Sequence, residues 1–172
     1  MRVLLSLPLL ALACTSPPGP PPAKVGSGGA PQHDEVLMAE NRDLARMEER
    51  DMDGWEQRHG RTLQRTGSGV RIGVIEDAPG PQAKAGQIAV VDFAVELIDG
   101  RQCYASAGEP REFLIEQDNV ESGLHEAVQF LGPGDSAVIM IPSHRAHGLV
   151  GDLDKIPPRS TVIYRLRLLS VR

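Results

Sequence analysis

The side chains that could do chemistry in this sequence gather in one loop near its C-terminal end. His144 and His147 are followed by Asp152 and Asp154, and Ser143 stands beside the first histidine. Imidazoles and carboxylates can bind a metal ion, but this spacing matches no standard zinc ligand set and no cysteine joins it. Ser143 also lacks the Gly-x-Ser-x-Gly turn that exposes a nucleophile. The residues therefore argue against a metal centre and against a serine triad.

The same loop leads into the triplet Ile156-Pro157-Pro158, and a run of branched residues from Thr161 to Val171 follows at once. Apolar and polar residues alternate along that run, which predicts a β-strand with one buried face. The residues on the predicted inner face are Val162, Tyr164, Leu166 and Leu168.

Other strands are predicted upstream of this block. Val70, Ile72 and Val74 alternate with polar residues, and the clearest strand runs from Ile88 to Ile98 and ends at the turn Asp99-Gly100. Its inner face is formed by Val91, Phe93, Val95 and Leu97. Short strands are also expected at Glu112–Glu116 and Ala137–Ile141.

A helix is predicted from about Gly123 to Leu131, with Ser122 as its N-cap. Its apolar stripe consists of Leu124, Ala127, Val128 and Leu131. Residues 69–172 therefore predict an α+β domain, in which an antiparallel sheet wraps around a short central helix.

A charged helical segment is expected at residues 34–68. Its apolar positions recur at helical spacing, and a break is allowed at Asp51–Gly54. The stripe consists of Val36, Leu37, Leu44 and Met47. This helix either docks on its own domain or serves as a dimerising surface, and the short stripe favours the first alternative. We expect a monomer.

The N-terminal end is typical of an exported protein. Residues 1–13 have a basic start and a short apolar core, which is the pattern of a signal peptide. Ala11-Leu12-Ala13-Cys14 resembles the lipobox of bacterial lipoproteins, although Ala11 and Leu12 depart from its commonest form. We expect lipidation of Cys14; the alternative is a plain secretory signal with an incidental cysteine. Residues 14–33, rich in Pro and Gly, would form the tether.

The net charge and the two cysteines bear on the possible ligands and on disulfide bonding. The chain has 172 residues and a formal net charge of −5, and it shows no basic stripe with interleaved aromatics, which argues against nucleic-acid binding. If Cys14 is lipidated, Cys103 has no partner within the chain and is expected to be buried as a small hydrophobe. A disulfide between the two remains possible, but it would anchor the domain to a loose tether.

Taken in order, the segments from Gly69 to Val171 resemble the FKBP-type peptidyl-prolyl isomerases. The resemblance rests on Ala85-Gly86-Gln87, Asp99-Gly100, Val120-Glu121-Ser122-Gly123-Leu124, Gly132-Pro133-Gly134-Asp135, His147-Gly148 and Ile156-Pro157-Pro158. Together with the lipobox, the charged helix and Ser143-His144, the chain also resembles the lipoprotein FKBPs of gliding bacteria. The implied location is the bacterial cell envelope, with a lipid anchor facing the periplasm or the exterior.

The resemblance implies an enzyme that rotates X–Pro bonds in exported or unfolded chains. A dry apolar cup would favour the twisted amide, which has lost its conjugation, and no cofactor or metal is needed. The catalytic positions are Phe93, Tyr104, His147 and Tyr164. The substrate-binding positions are Val120, Glu121, Leu124 and Ile156, with the backbone N–H of Glu121 as a donor to the substrate.

Several positions depart from the family's pattern. Leu124 replaces a floor tryptophan, His147 a loop tyrosine, Cys103-Tyr104 a Phe-Asp pair, and Arg111 a wall phenylalanine. The cup is therefore expected to be shallower and wetter than that of a strong isomerase. An alternative is a weakly active or inactive domain that serves as a chaperone or envelope binding module. A third hypothesis makes the helical segment the working surface.

Overall fold

The structure, a computed structural model, describes residues 31–172, with side chains from Glu35 onward. The predicted signal peptide, the lipidation site at Cys14 and almost all of the tether lie outside the described residues. The helices are α1 (Pro31–His59) and α2 (Ser122–Val128), and a short 3-10 turn spans Ser143–Arg145. The strands are β1 (Gln64–Arg65), β2 (Arg71–Glu76), β3 (Ile88–Leu97), β4 (Gln102–Ala105), β5 (Arg111–Leu114), β6 (Ser136–Ile141) and β7 (Val162–Val171).

All seven strands belong to one antiparallel sheet in the order β1-β2-β6-β7-β3-β4, and β5 pairs with β3. The long strands β3 and β7 lie side by side at its centre, with Phe93 opposite Leu166 and Val95 opposite Tyr164. The α+β class and the antiparallel sheet predicted from the sequence are confirmed. The strand β4 was not predicted, because four residues after a turn carry too little periodicity.

The main core lies between the sheet and α2. The alternating residues predicted to face inward on β7 are buried, as are the apolar residues of α2. Tight packing requires a glycine at position 123, since a Cβ there would lie 2.3 Å from Ile141 Cγ2. The helix therefore sits directly on β6, and Leu124 is part of the main core.

The predicted N-cap of α2 is wrong. Glu121 occupies the N-cap position and makes no side-chain cap hydrogen bond. Ser122 lies inside the helix, and its Oγ donates to the carbonyl of Arg145 over 3.2 Å. The serine thus links α2 to the 3-10 turn, an interaction between distant segments that local sequence cannot reveal.

A second, smaller core lies on the other face of the sheet, beneath the end of α1. Met52 and Trp55 are each 1% exposed and pack with Leu63 against Val138, Met140 and Ile163. Ile163 is therefore buried although it points away from the main core. The central strands therefore carry buried apolar residues on both faces, and α1 covers the second face.

The apolar stripe predicted for α1 is exposed. Val36, Leu37, Leu44 and Met47 are 54%, 44%, 41% and 55% exposed. The break considered possible at Asp51–Gly54 does not occur, since α1 runs unbroken from Pro31 to His59. Docking uses the residues beyond this stripe, because only the C-terminal half of the helix reaches the sheet.

A buried arginine ties α1 to the sheet. Arg71 on β2 is 4% exposed, and its Nη1 donates to Asp53 and Glu56, each over 2.7 Å. Its Nη2 lies 3.4 Å from the carbonyl oxygen of Glu49. Because a buried cation needs compensating charge, these contacts fix the helix on β2. The predicted domain boundaries at residues 34 and 69 remain predictions. The strand β1 lies before Gly69 in the chain, but it pairs with β2 of the predicted domain.

Within residues 31–172, no helix is both long enough and apolar enough to cross a bilayer.

Candidate functional site

Two aromatic rings form the centre of the predicted cup. Phe93 and Tyr164 lie on neighbouring strands in diagonal positions, with ring centroids 5.8 Å apart and an interplanar angle of 46°. Tyr164 is 5% exposed, whereas Phe93 is partly buried at the edge of the main core. Diagonal neighbours on one face of a sheet are within reach of aromatic side chains. The sheet therefore brings together two residues that the sequence places far apart.

Aliphatic side chains from other elements pack in the same core. Leu124 comes from α2 and is 5% exposed, and Ile156 comes from the loop before β7 and is 3% exposed. Val120, just before α2, is partly buried against the same cluster. These residues could form the floor and wall of an apolar cup, as predicted for the binding of a prolyl ring.

The carboxylate of Glu121 adds a charge to this apolar surrounding. The Tyr164 hydroxyl donates to Glu121 Oε1 over 2.8 Å. Burial, together with the neighbouring carboxylate, raises the pKa of Tyr164 well above its ordinary value. The tyrosine is therefore a neutral donor at physiological pH, and the carboxylate is its acceptor.

His147 approaches the same carboxylate oxygen. Its Nε2 lies 2.9 Å from Glu121 Oε1 and is buried, but it is not aligned for a hydrogen bond. Glu121 and His147, which were both predicted to belong to the cup, are therefore in direct contact.

The backbone N–H of Glu121 is free in the part of the chain that the structure describes. No carbonyl or side-chain oxygen there accepts a hydrogen bond from it, whereas the Glu121 carbonyl accepts from Leu124 and His125. Because Glu121 is the N-cap, its N–H precedes the helix and has no helical partner. This donor is available to a ligand carbonyl.

Tyr104 is held by the loop before β7. Its hydroxyl donates to Asp152 in a close contact and lies 3.3 Å from Asp154. Lys155 Nζ lies 4.8 Å from the ring centroid, within range of a cation–π interaction. The hydrogen bond to Asp152 is the largest cause that raises the pKa of Tyr104. Asp152 and Asp154 therefore both lie at the Tyr104 hydroxyl.

Asp152 organises the loop itself, a role that sequence reasoning missed. Its Oδ1 accepts from the backbone N–H groups of Ile156, over 2.7 Å, and Asp154, over 2.9 Å. Desolvation alone would raise the pKa of Asp152, but the hydrogen bonds from Tyr104 and the two amides lower it to about 2. The Asp-x-Asp spacing is a signal for such a turn, because aspartate often bonds the amide two residues ahead.

Gly151 allows the loop to fold back. Its φ is +75°, and a Cβ at this position would lie 2.2 Å from the Ile156 carbonyl oxygen. A residue with a side chain would therefore force the wall residue Ile156 to move.

The family positions that depart from the pattern are spread out. Cys103 is buried, its Sγ lies 3.6 Å from the Lys155 carbonyl, and burial raises the pKa of its thiol. Its burial agrees with the expectation of a small hydrophobe. Arg111 is exposed at the start of β5 and adds no apolar wall.

Ser143 and His144 are engaged away from the cup. Glu48 accepts a hydrogen bond from the Ser143 hydroxyl over 3.0 Å, and His144 Nε2 lies 3.1 Å from the Ser68 carbonyl oxygen. Among the described residues, no group of three or more His, Cys, Asp or Glu side chains has the arrangement of a metal site.

A groove of about 590 Å³ lies between α1 and the loop before β7. Its apolar lining includes Leu44, Met47, Leu149 and Pro157, and none of the eight predicted site residues lines it. The cup is the better candidate for prolyl binding, because a free backbone donor lies near a tilted aromatic pair and aliphatic side chains.

The family is decided by comparison with known proteins. The sequence model of the FKBP-type peptidyl-prolyl cis-trans isomerases matches residues 80–169, more than half of the chain. The chain belongs to the FKBP-type isomerase family. The predicted FKBP-like fold is thereby confirmed, as is the family assignment made from the ordered motifs.

The curated relatives of this FKBP domain include several bacterial proteins. A probable FKBP-type isomerase, FkpA of Neisseria meningitidis, is 32% identical over 111 residues, which cover 63% of this chain and 40% of the relative. FkpA of Escherichia coli is 30% identical over 112 residues, again 40% of its length. A Legionella longbeachae relative, 28% identical over 107 residues, is named an outer membrane protein, MIP. The match thus spans less than half of each of these proteins.

Two solved FKBP structures have the same fold. An isomerase from Pseudomonas syringae superimposes with a TM-score of 0.65 at 25% identity, covering 76% of this chain and 94% of that one. The crystal structure of FkpA from Escherichia coli also gives 0.65 at 25% identity, over 87% of this chain and 74% of that one. The roles of the individual site residues are not tested by these similarities and stay predictions.

Proposed function

We propose that this protein is a peptidyl-prolyl cis-trans isomerase that acts on exported or unfolded chains. The observation that carries the proposal is the free N–H of Glu121 beside the Phe93–Tyr164 ring pair. Family membership supports it, because the family's sequence model covers Phe93, Glu121 and Tyr164.

The chemistry requires a physical environment and no reactive group. The planar X–Pro amide resists rotation by about 18–20 kcal/mol because of its resonance. A proline held against Phe93, Leu124 and Ile156 loses water, and its twisted, less dipolar amide is favoured over the planar form. The Glu121 N–H would bind the neighbouring carbonyl and orient the peptide.

A coupled assay with the full chain tests this proposal. The chain should accelerate the cis-to-trans relaxation of Xaa-Pro peptides, and the Phe93→Ala variant should lose most of this acceleration. Rates that equal the uncatalysed control for every Xaa would rule out the enzyme.

The second candidate is a non-catalytic binding module. It is favoured by the contact of Glu121 with Tyr164 and His147, which places a carboxylate where the substrate would bind. Suppression of client aggregation without any isomerisation would support this candidate and exclude the first. In both cases the partners are proline-containing polypeptides.

We further propose that the protein is a lipoprotein of the bacterial cell envelope, attached through Cys14 and similar to the lipoprotein FKBPs of gliding bacteria. The support comes from the sequence of residues 1–33 and from Ser143-His144. Incorporation of labelled palmitate into the full chain, and its loss in Cys14→Ser, is expected. Labelling that persists in the variant would exclude this anchor.

The apolar stripe of α1 is exposed and could pair with a second copy of the chain, so the predicted monomer needs a direct test. Sedimentation of the full chain over a range of concentrations should give a constant monomer mass. A mass that rises with concentration, and is lowered by Leu37→Glu, would instead favour the dimerising surface.

A further inference from the structure

Glu48 links α1 to both ends of the loop that contributes to the cup. Its Oε1 accepts from the Ser143 N–H over 2.6 Å and from the Thr161 hydroxyl over 2.7 Å. Its Oε2 accepts from the Ser143 hydroxyl over 3.0 Å. Ser143 and Thr161 are both buried, and Glu48 is half-buried. One carboxylate thus satisfies three donors that are largely withdrawn from water.

The N-terminal end of the loop depends on this carboxylate. Ser143 opens the 3-10 turn, so its N–H has no partner within the turn, and Glu48 supplies an acceptor. The Ser143 carbonyl in turn accepts from Ala146 over 3.1 Å and from Gly148 over 2.7 Å. Because these amides flank His147, the position of Ser143 determines the position of the histidine backbone.

The C-terminal end of the loop is held by the same group. Thr161 directly precedes β7, and Ile156 and Asp152 lie shortly before it in the loop. Within residues 35–172, Glu48 is the residue outside this loop whose side chain hydrogen-bonds to both of its ends. Charge-assisted hydrogen bonds are among the stronger ones, so this contact should restrict the loop.

We propose that Glu48 is a positioning residue for the prolyl site, which holds the loop 143–161 so that His147, Asp152 and Ile156 keep their places in the cup. α1 then contributes to the site through Glu48, whose side-chain hydrogen bonds in the described part of the chain go to Ser143 and Thr161. The kinetic part of this inference rests on the proposed isomerase function, whereas the ordering of the loop does not.

Hydrogen–deuterium exchange of the full chain tests the ordering. In Glu48→Ala, the amides from Ser143 to Gly148 should exchange about tenfold faster, because buried donors lose a charged acceptor. Glu48→Gln should lie between this variant and the wild type, since its amide oxygen still accepts. Glu40→Gln is the matched control: Glu40 is exposed on the same helix, and its side chain makes no described hydrogen bond or ion pair. Its exchange should be unchanged.

Two further variants separate positioning from loosening of the whole helix. Thr161→Val keeps the side-chain shape and removes one of the three donors, so it should raise loop exchange less than Glu48→Ala. Asp53→Asn weakens the contact of α1 with Arg71. It should leave exchange at Ser143–Gly148 unchanged while lowering the stability of α1.

Kinetics supply the second readout. Glu48→Ala should raise KM by about threefold to tenfold with a smaller change in kcat, because a loosened wall weakens binding of the substrate and the transition state alike. Glu48→Gln should restore much of the loss. Neither Glu40→Gln nor Asp53→Asn should alter KM.

Unchanged exchange at Ser143–Gly148 in Glu48→Ala would overturn the proposal, and so would equal loosening of the loop by Asp53→Asn. Unchanged KM in a variant whose loop has loosened would also overturn it. A loosened loop in a protein whose wild type has no isomerase activity would support the ordering and reject the proposed function instead.

Discussion

The Tyr164 hydroxyl donates to Glu121 Oε1 over 2.8 Å, close to the apolar side chains predicted to form the cup. His147 Nε2 lies 2.9 Å from the same oxygen. The carboxylate therefore stabilises the neutral tyrosine and adds a charge among the residues predicted to form the cup. We expect it to contribute to stability and to weaken the binding of an apolar substrate.

Replacing Glu121 by isoleucine should shift that balance. In Glu121→Ile, isomerase activity toward apolar Xaa-Pro peptides should rise severalfold, because a drier cup favours the twisted amide. The free energy of unfolding should fall by about 1–3 kcal/mol, since the buried Tyr164 hydroxyl loses its acceptor. Kinetics and urea unfolding measure the two effects.

The double variant Glu121→Ile with Tyr164→Phe tests whether the lost hydrogen bond causes the predicted loss of stability. Removing both partners should recover much of the lost stability, because no buried hydroxyl is left unsatisfied. Stability that stays as low as in Glu121→Ile would show that the hydrogen bond is not the cause.

The loop before β7 should lose stability in acid. The pKa of Asp152 is lowered to about 2 in the folded protein, below the unfolded value of about 3.9. Its contribution is therefore fully present above the unfolded pKa and is lost as the pH falls through about 2. In Asp152→Asn, urea unfolding should show a weaker decline between about pH 4 and pH 2 than in the wild type.

Asp154→Asn serves as the comparison, because Asp154 lies at 3.3 Å from the Tyr104 hydroxyl and binds no backbone amide through its side chain. Its acid profile should resemble that of the wild type. Identical profiles for Asp152→Asn and the wild type would contradict the role given to Asp152.

Arg71→Met should loosen the docking of α1. The loss of its bonds to Asp53 and Glu56 should reduce the free energy of unfolding by roughly 1–3 kcal/mol, since these are hydrogen bonds to charged groups. Arg65→Met removes an exposed pair with Glu49 and should cost less than about 1 kcal/mol. Equal losses in the two variants would show that burial of Arg71 does not matter.

Trp55→Ala should be more damaging, with a loss of about 3–5 kcal/mol from an emptied core position. Trp55 is 1% exposed, whereas Met47 on the same helix is 55% exposed, so Met47→Ala should change stability little. Thermal unfolding of both variants tests whether α1 is part of the folded unit. A small effect of Trp55→Ala would mean that the helix docks only weakly.

Residues close in sequence determined much of the fold. Alternation along β3 and β7 predicted their inner faces, and the stripe Leu124–Leu131 predicted the central helix, because local periodicity reports directly on burial. The ordered motifs around Ile156-Pro157-Pro158 also identified the family, which needs no knowledge of contacts.

The tertiary structure decided what local pattern cannot express. The sequence favoured docking of α1 on its own domain, but it did not show that the helix docks through Met52 and Trp55 while its apolar stripe stays exposed. Ser122 was predicted to cap a helix and instead binds the carbonyl of Arg145. The contacts of Glu48 with Ser143 and Thr161, and of Glu121 with Tyr164, join residues that are far apart in the chain. Their geometry exists only when the sheet, the helix and the loop have packed together.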